Sequence, residues 1–301
     1  MAWPHDWLKQ TSAPRAVCLM YHRVAEIKED RQHTNVRPEH FAEHLRILNN
    51  YRAVTMSQLA EELQENKLRG NAVVVTFDDG YIDALTTVAP LMATAGMPGT
   101  LYITTDLDTE NISHKQFWWD ELEALYDISP WMETEVGPYM MVAQQLKLVD
   151  SKSRRERLDG WAQNAGHPGT IHEYTRRLNH SEIKSLCRFP LLEIGSHTID
   201  HEQLSACSYE EQAHQIIESR RVLYDITGRE VDSFAYPYGT ISDYNQDSKR
   251  LAELAGYSSA VSNFPDVIWP GTNRYALPRL VVRDCEGPVF ANWLSAWLAP
   301  N

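Results

Sequence analysis

Residues 73–80 of this 301-residue chain, Val-Val-Val-Thr-Phe-Asp-Asp-Gly, predict its fold class. The β-branched apolar run is typical of a parallel strand that is buried on both faces. Two carboxylates, Asp78 and Asp79, end the run, and α/β sheets and barrels place their chemistry at the carboxyl ends of such strands. Because adjacent buried carboxylates are costly unless a cation or a proton-transfer task retains them, both are candidate site residues. An ordinary Asp-Gly turn is the alternative interpretation.

A second apolar run ends at Ile194 and is followed by two histidines, His197 and His201, four positions apart. One helical turn or a tight loop brings such a pair to one side of the chain, where both imidazoles can bind one metal ion. With one carboxylate of the Asp pair they would form a set with open coordination positions, which suits Zn²⁺ and several other first-row metals. His40 and His44 have the same spacing but flank an amphipathic stripe, so they are interpreted as surface residues.

A third predicted strand leads into residues 234–239, Phe-Ala-Tyr-Pro-Tyr-Gly. Proline and glycine make this turn stiff, and a stiff turn suits a backbone N–H group that must point at a developing oxyanion. A rigid strand-to-helix loop without any chemical role is the alternative interpretation of the same residues.

Five motifs of the chain, in order, resemble those of the polysaccharide deacetylase family, which includes the chitooligosaccharide and peptidoglycan deacetylases. They are residues 20–24, 76–80, 197–201, 234–239 and 277–279. The resemblance extends from about Val17 to Val282, with one long interruption. It implies a distorted (β/α) barrel and a divalent metal, commonly zinc, that helps to remove an N-acetyl group from a sugar.

The resemblance also implies roles for individual residues. Asp78 matches the catalytic base of the family, while Asp79, His197 and His201 match its metal ligands, and Tyr238 falls where a backbone amide completes the oxyanion hole. In that chemistry the metal polarises the amide carbonyl and lowers the pKa of a bound water. The base accepts a proton as the water attacks, and the metal and the amide stabilise the tetrahedral oxyanion.

The chain departs from the family pattern at two places. Ala235 stands where many relatives carry an arginine that pairs with the base, and no histidine follows His214, although many relatives use a late histidine as general acid. Arg279 is the candidate to replace the arginine, and His22, at the end of the first predicted strand, is the candidate acid. His22 could equally be a capped or core histidine, and Asp78 could itself carry the proton to the leaving amine.

Strand and helix patterns alternate along most of the chain. They predict an α/β fold, a distorted (β/α) barrel of about seven strands in one domain over residues 1–301. Residues 106–180 break the alternation and are predicted to form a helical insertion. Within it, Trp118 and Trp119 could stack on sugar rings or anchor the insertion's own core. The basic run at residues 152–157 is interpreted as a solvated helix face.

Composition limits the partners and the compartment. The formal net charge of −13 argues against nucleic acid and anionic membranes but not against a neutral sugar. Four scattered cysteines are interpreted as reduced, buried thiols, with one disulfide as the alternative. Residues 1–10 lack an apolar signal segment, and no run of 18 apolar residues occurs. The sequence therefore predicts a cytoplasmic protein without a membrane span, unless a leader was removed, and leaves the oligomeric state open.

Three functions are compatible with these residues. The leading one is a metal-dependent hydrolase that removes an N-acetyl group from an amino sugar in an oligosaccharide, polysaccharide or glycan precursor. The second is an amidohydrolase or deformylase acting on a small amide, because the same metal and base would serve it. The third is an inactive sugar-binding module that retains the metal. The missing acid motif favours this module, whereas the intact Asp78 opposes it.

Overall fold

A computed structural model describes residues 14–27, 30–105, 116–166 and 173–299. Its strands are Ala16–Tyr21 (β1), Arg23–Val24 (β2), Asn35–Val36 (β3), Arg52–Ala53 (β4), Ala72–Phe77 (β5), Gly99–Ile103 (β6), Leu192–Ser196 (β7), Ser233–Ala235 (β8), Ser259–Val261 (β9) and Leu280–Val281 (β10). Its α-helices are Pro38–Leu48 (α1), Met56–Gln64 (α2), Ala89–Ala95 (α3), Trp118–Ile128 (α4), Tyr139–Lys147 (α5), Ser151–Asn164 (α6), His180–Leu186 (α7), Tyr209–Thr227 (α8), Gln246–Leu254 (α9) and Gly287–Leu298 (α10). Short π-helical turns cover Ala84–Val88 and Met132–Val136, and 3₁₀ turns cover Glu173–Thr175 and Leu204–Ala206.

Eight parallel strands form one curled sheet. Its order is β10, β1, β5, β6, β7, β8, β9, with β4 pairing beside β5. A single parallel bridge between Val261 and Leu277 joins the last strand of this path to the segment that leads into the first one. The sheet with its surrounding helices confirms the predicted distorted (β/α) barrel.

The predicted central strand, β5, is buried at every position, as its apolar run requires. It pairs with β1 in register from Ala16 opposite Ala72 to Tyr21 opposite Phe77. The parallel strands β1, β5, β7 and β8 therefore end at the same edge of the sheet, and His22, Asp78, His197 and Tyr236 follow those ends. Parallel pairing alone thus gathers the candidate residues at one end of the barrel.

Local signals set several helix boundaries. Thr55 and Gln58 form a capping box at the start of α2, and Ser208 and Glu211 form one at the start of α8. Gly228 ends α8 in the left-handed conformation, with φ of 67°. The π-helical turn Ala84–Val88 leads directly into α3. Strands β8, β9 and β10 are short, with three, three and two residues.

Helices α4, α5 and α6 lie between β6 and β7 and pack around a cluster of their own, which includes Leu122, Tyr126, Leu146 and Leu158. This is the helical part of the predicted insertion; residues 106–115 and 167–172 lie outside the described residues. The assignment of residues 1–301 to a single domain stays a prediction. None of the helices in the described residues is both long enough and apolar enough to cross a membrane.

The interpretation of His40 and His44 as surface residues was wrong. Both are buried. The His44 ring stacks on Phe290 with centroids 4.0 Å apart, and its Nε2 lies 2.8 Å from the carbonyl oxygen of Cys285. The Tyr21 hydroxyl lies 3.2 Å from its Nδ1. The buried face of α1 therefore includes these two histidines as well as the apolar residues, because α10 packs over that side of the helix.

The prediction that the basic run at residues 152–157 is a solvated helix face was wrong for Arg154. Arg154 is buried, and its guanidinium donates to the carbonyl oxygens of Leu146 at 3.0 Å and Val149 at 3.1 Å. The last carbonyl groups of a helix lack partners within it, and Arg154 satisfies one in the last turn of α5 and one just beyond its end. All four cysteines are free thiols, as predicted, but the prediction that they are buried was wrong for three of them, because only Cys18 is buried.

Candidate metal centre and active site

A cavity of about 360 Å³ opens at the carboxyl edge of the sheet. The strand ends contribute His22, Asp78, Asp79, His197 and His201 to its lining. The insertion contributes Trp118, Trp119 and Lys147, and the loops after β8 and β9 contribute Tyr238 and Asn263. The cavity thus collects most of the residues that the sequence predicts for the site.

Asp79, His197 and His201 form a candidate metal centre. One ligand atom from each lies within 4.8 Å of the others, and all three side chains are buried. The Asp79 Oδ1 lies 3.5 Å from the His197 Nε2 and 3.4 Å from the His201 Nε2. Two ligands about 2.1 Å from one ion at a tetrahedral angle would lie about 3.4 Å apart, so these spacings fit a divalent metal.

Neighbouring groups orient the two imidazoles. The His197 Nδ1 lies 2.8 Å from the carbonyl oxygen of Ala235, which leaves Nε2 to face the carboxylate. The His201 Nδ1 is buried and has no hydrogen-bond partner among the described residues. The His201 ring is held instead by edge contacts with Trp119 and Tyr238, each with centroids 4.7 Å apart. Both imidazoles therefore present a nitrogen toward Asp79.

Backbone strain concentrates at this centre. Asp79, Thr198, His201 and Tyr238 have φ of 76°, 64°, 59° and 58°, and they are four of the six non-glycine residues with positive φ in the described residues. Such conformations cost roughly 1–3 kcal/mol each and persist only when the surroundings hold them. In the histidine loop the Thr198 Oγ1 accepts from the His201 amide at 3.0 Å. Strain that is held in place at one end of a barrel is typical of a functional site.

The charge states of the ligands suit metal binding. Burial alone would raise the pKa of Asp79, but its close contacts with the His197 and His201 nitrogens outweigh burial and hold that pKa well below its ordinary value. Burial lowers the pKa of His201 to about 4, against opposition from Asp79. At neutral pH the site therefore offers an ionised carboxylate and a neutral His201 imidazole, which is the protonation that metal binding requires.

Asp78, which follows β5, is paired with Arg279, which precedes β10. The two terminal guanidinium nitrogens each lie 2.6 Å from one carboxylate oxygen, a bidentate geometry. Arg279 is 1% exposed, and its Nε donates to the carbonyl oxygen of Ser262 at 3.0 Å. Burial would raise the pKa of Asp78, but the Arg279 charge outweighs it and the pKa is lowered. Asp78 is thus an ionised carboxylate beside the metal centre, with its Oδ2 4.0 Å from the His197 Nε2.

The turn after β8 presents Tyr238 to the cavity. Its backbone amide donates no hydrogen bond to any described residue, while its carbonyl oxygen accepts from the Asn263 Nδ2 at 3.1 Å. A Cβ on Gly239 would lie 2.8 Å from the Asn263 backbone nitrogen, and φ is +68° there, so only glycine suits this position. An amide without an internal partner, held in a stiff turn, is available to an oxyanion.

His22 lies at the other side of the cavity, one residue after β1. It is half-buried, and its Nδ1 is buried without a hydrogen-bond partner among the described residues. Burial lowers its pKa, with Asp79 and Asp78 opposing the shift. His22 is therefore neither a capping nor a fully packed core histidine, and its imidazole is neutral at pH 7 in the absence of a metal or substrate.

Sequence reasoning missed a buried network behind Trp119. The Trp119 Nε1 donates to the Tyr81 hydroxyl at 2.8 Å, and that hydroxyl donates to the Asp120 Oδ2 at 2.9 Å. Arg23 lies 3.4 Å from Asp120, and burial raises the pKa of Asp120 to about 7. A polar residue directly after the aromatic run 117–119 was the only available signal. The network joins the insertion to the barrel and supports the wall on which His201 packs.

Comparisons of sequence and of structure both find similarity to proteins that are described as deacetylases. Residues 154–260 match the family described as "Polysaccharide deacetylase". The Bacillus subtilis protein named "Putative polysaccharide deacetylase YxkH" is 22% identical over 294 residues, which cover 96% of this chain and 80% of that protein. These matches confirm the resemblance that the motifs predicted and, with it, the class of hydrolase.

Solved structures show the same fold. The Streptococcus pyogenes deacetylase PplD, in complex with acetate, superposes with a TM-score of 0.65 at 16% identity, covering 96% of this chain and 100% of that chain. IcaB from Ammonifex degensii superposes with a TM-score of 0.62 at 17% identity, covering 95% and 97% of the two chains. At these identities the likeness establishes the barrel and not the substrate.

Proposed function

We propose that this chain, a member of the polysaccharide deacetylase family, is a metal-dependent hydrolase that removes an N-acetyl group from an amino sugar of an oligosaccharide, polysaccharide or glycan precursor. One observation carries the proposal: the candidate ligands Asp79, His197 and His201 converge in a cavity beside an ionised carboxylate, Asp78. A site that only bound sugar would need neither that second carboxylate nor its buried arginine partner.

Asp79, His197 and His201 would hold the divalent ion. Two imidazoles and one carboxylate leave coordination positions open, which suits zinc and also other first-row metals, and zinc is the ion that we propose. Such an ion, when bound, polarises an amide carbonyl and lowers the pKa of a water molecule.

Asp78 would act as the general base. Its lowered pKa keeps it ionised at neutral pH, so it can accept the proton of the attacking water. Arg279 would position this carboxylate and replace the arginine that the family carries at the place of Ala235. The Asp78 Oδ2 lies 4.0 Å from the His197 Nε2, so the proposed base would adjoin the proposed metal ligands.

The backbone amide of Tyr238 would stabilise the tetrahedral oxyanion. A well-placed donor of this kind contributes roughly 3–4 kcal/mol to transition-state stability. The leaving amine then needs a proton. His22, whose Nδ1 lacks a partner and which lines the cavity, is our candidate to deliver it, after accepting from Asp78 the proton that Asp78 takes from the attacking water. Return of the proton from Asp78 is the alternative.

The insertion would contribute to sugar binding. Trp118 and Trp119 line the cavity, and flat aromatic side chains offer stacking surfaces for the apolar faces of sugar rings. Trp119 is 6% exposed and supports His201, so Trp118 is the better candidate for direct contact.

Metal analysis together with acetate release from N-acetylated oligosaccharides tests the proposal. We expect Asp79→Ala and His197→Ala to lose both metal and activity, and Asp78→Asn to keep metal and lose turnover. Full turnover by Asp78→Asn would refute its role as base. Release of formate from small formamides, without acetate release, would assign the second function instead. Stoichiometric metal and sugar binding without any hydrolysis would assign the inactive module.

A further inference from the structure

The insertion touches the Tyr238 turn at two points. The Trp118 Nε1 donates to the Tyr238 hydroxyl at 3.1 Å. Lys147, at the end of α5, places its Nζ 4.3 Å from the centroid of the Tyr238 ring and 2.6 Å from the Asp243 Oδ1. A single ammonium ion thus contacts both the residue that carries the proposed oxyanion amide and a carboxylate five positions later in the chain.

Asp243 organises this turn from within. Its Oδ2 accepts from the Thr240 backbone amide at 3.0 Å and from the Thr240 Oγ1 at 2.5 Å. Its own amide donates to the Thr240 carbonyl oxygen at 2.9 Å. Asp243 is 1% exposed, and one carboxylate oxygen is left for Lys147. The carboxylate is therefore a fixed point to which the insertion can attach.

The turn needs such an attachment because Tyr238 has a φ of 58°. A non-glycine residue adopts this conformation only when its surroundings hold it. Asn263 holds the Tyr238 carbonyl oxygen from the barrel side. The ring and the Asp243 end of the turn are held from the insertion side, and Lys147 makes both of those contacts.

We propose that Lys147 is a positioning residue for the reaction: it ties the insertion to Asp243 and to the Tyr238 ring, and so fixes the backbone amide that faces the oxyanion. The inference rests on the proposed function for its catalytic consequence. It gives the insertion a role in completing the active site, in addition to any contact with the sugar.

The test compares Lys147→Met with Lys147→Arg and with Lys152→Met, which removes an exposed lysine from α6. Because a displaced oxyanion donor loses part of its effect, we expect Lys147→Met to lower kcat roughly tenfold on N-acetylated chito-oligosaccharides. KM and zinc content should remain unchanged. We expect Lys147→Arg to recover most of the loss and Lys152→Met to equal the wild type. A raised KM with unchanged kcat in Lys147→Met would instead make Lys147 a substrate contact and would overturn the inference.

Amide hydrogen exchange gives a readout that does not depend on activity. In the zinc-loaded protein, Lys147→Met should speed exchange in peptides that cover residues 237–243 and leave those that cover β5 unchanged. Equal protection in wild type and variant would overturn the inference. If the wild type releases no acetate but the exchange result holds, the proposed function fails while the positioning contact stands.

Lys147→Met leaves the buried Asp243 carboxylate without its counter-charge, which could unfold the protein. The double variant Lys147→Met/Asp243→Asn removes that charge and keeps an oxygen acceptor for Thr240. We expect the double variant to fold. Its kcat and its hydrogen exchange should equal those of Lys147→Met alone and of Asp243→Asn alone, because the pair acts as one unit. Effects on kcat that add independently would show that Lys147 and Asp243 do not act together, which would also overturn the inference.

Discussion

Replacing Arg279 by glutamine tests the electrostatics of the site most directly. The side chain is buried and makes two 2.6 Å contacts with Asp78, and it also donates to Thr76 at 3.2 Å. Glutamine keeps part of the length and some hydrogen bonding but removes the charge. The carboxylate of Asp78 then remains buried with no opposing guanidinium.

The magnitude follows from that unpaired charge. Breaking a buried pair by removing one partner costs roughly 3–5 kcal/mol of folding stability, since the remaining charge keeps its desolvation penalty. Both side chains are almost fully buried, so solvent does not screen the attraction between Arg279 and Asp78. Lysine at the same position retains a charge but not the bidentate fork, so Arg279→Lys should show a smaller loss.

The sign of the pH dependence reverses between wild type and variant. In the wild type the pKa of Asp78 is lowered by Arg279, so the pair stabilises the fold above the unfolded-state pKa, and this is lost as pH falls through the folded-state value. In Arg279→Gln, burial is the larger influence and raises the pKa of Asp78. The stability deficit should therefore be largest near pH 8 and should shrink as the pH falls and the carboxyl protonates.

Urea unfolding of the metal-free protein between pH 5 and pH 8 measures this deficit. In the profile of kcat/KM against pH over the same range, the acidic limb of Arg279→Gln should lie at higher pH than that of the wild type. Arg221→Gln is the matched control, because it removes an arginine that pairs with Glu218 and Asp225 on the exposed face of α8. A deficit that is independent of pH, or an unmoved acidic limb, would refute the proposed electrostatic role of Arg279.

Three further predictions concern the metal, the proton and the sugar. Zinc at 100 times its Kd should stabilise the folded protein by about 2.7 kcal/mol. In a thermal melt, His197→Ala should abolish this stabilisation by zinc. An equal stabilisation of wild type and variant would exclude this site. His22→Gln should lower kcat by roughly 10²- to 10⁴-fold if His22 delivers the proton, whereas an unchanged rate would leave the transfer to Asp78 alone. Trp118→Ala should raise KM for N-acetylated oligosaccharides roughly tenfold at unchanged zinc content, as expected for a lost stacking contact; an unchanged KM would remove Trp118 from the sugar site.

Much of the fold could be predicted from local patterns. The bounds of β1, β5 and β6 and the capping boxes at Thr55 and Ser208 each depend on a short window of sequence. An apolar run, a cap or a left-handed glycine carries its physical cause within a few residues. The candidate ligands could be named for a related reason, since each follows a strand end and parallel strands end at one edge.

The partners of those residues could not be found in the same way. Arg279 reaches Asp78 across 201 positions of the chain, and the sequence named it only as a possible replacement for a missing arginine. Lys147 is an ordinary charged residue of a helix in sequence, and nothing near it indicates a buried partner; for Asp120 the only signal is the aromatic run before it. The burial of His44 likewise depends on α10, which packs against α1 from the far end of the chain.

The sequence by itself determined the strands, the helix ends and the set of side chains that could bind a metal, because hydrophobic pattern, capping and strand-end motifs are local. Only the tertiary structure decided which charges are paired, which imidazoles are buried and how the Tyr238 turn is held. Those outcomes depend on which distant helices and loops pack together, and on the low dielectric that their packing creates, where a single partner decides the charge state of a group.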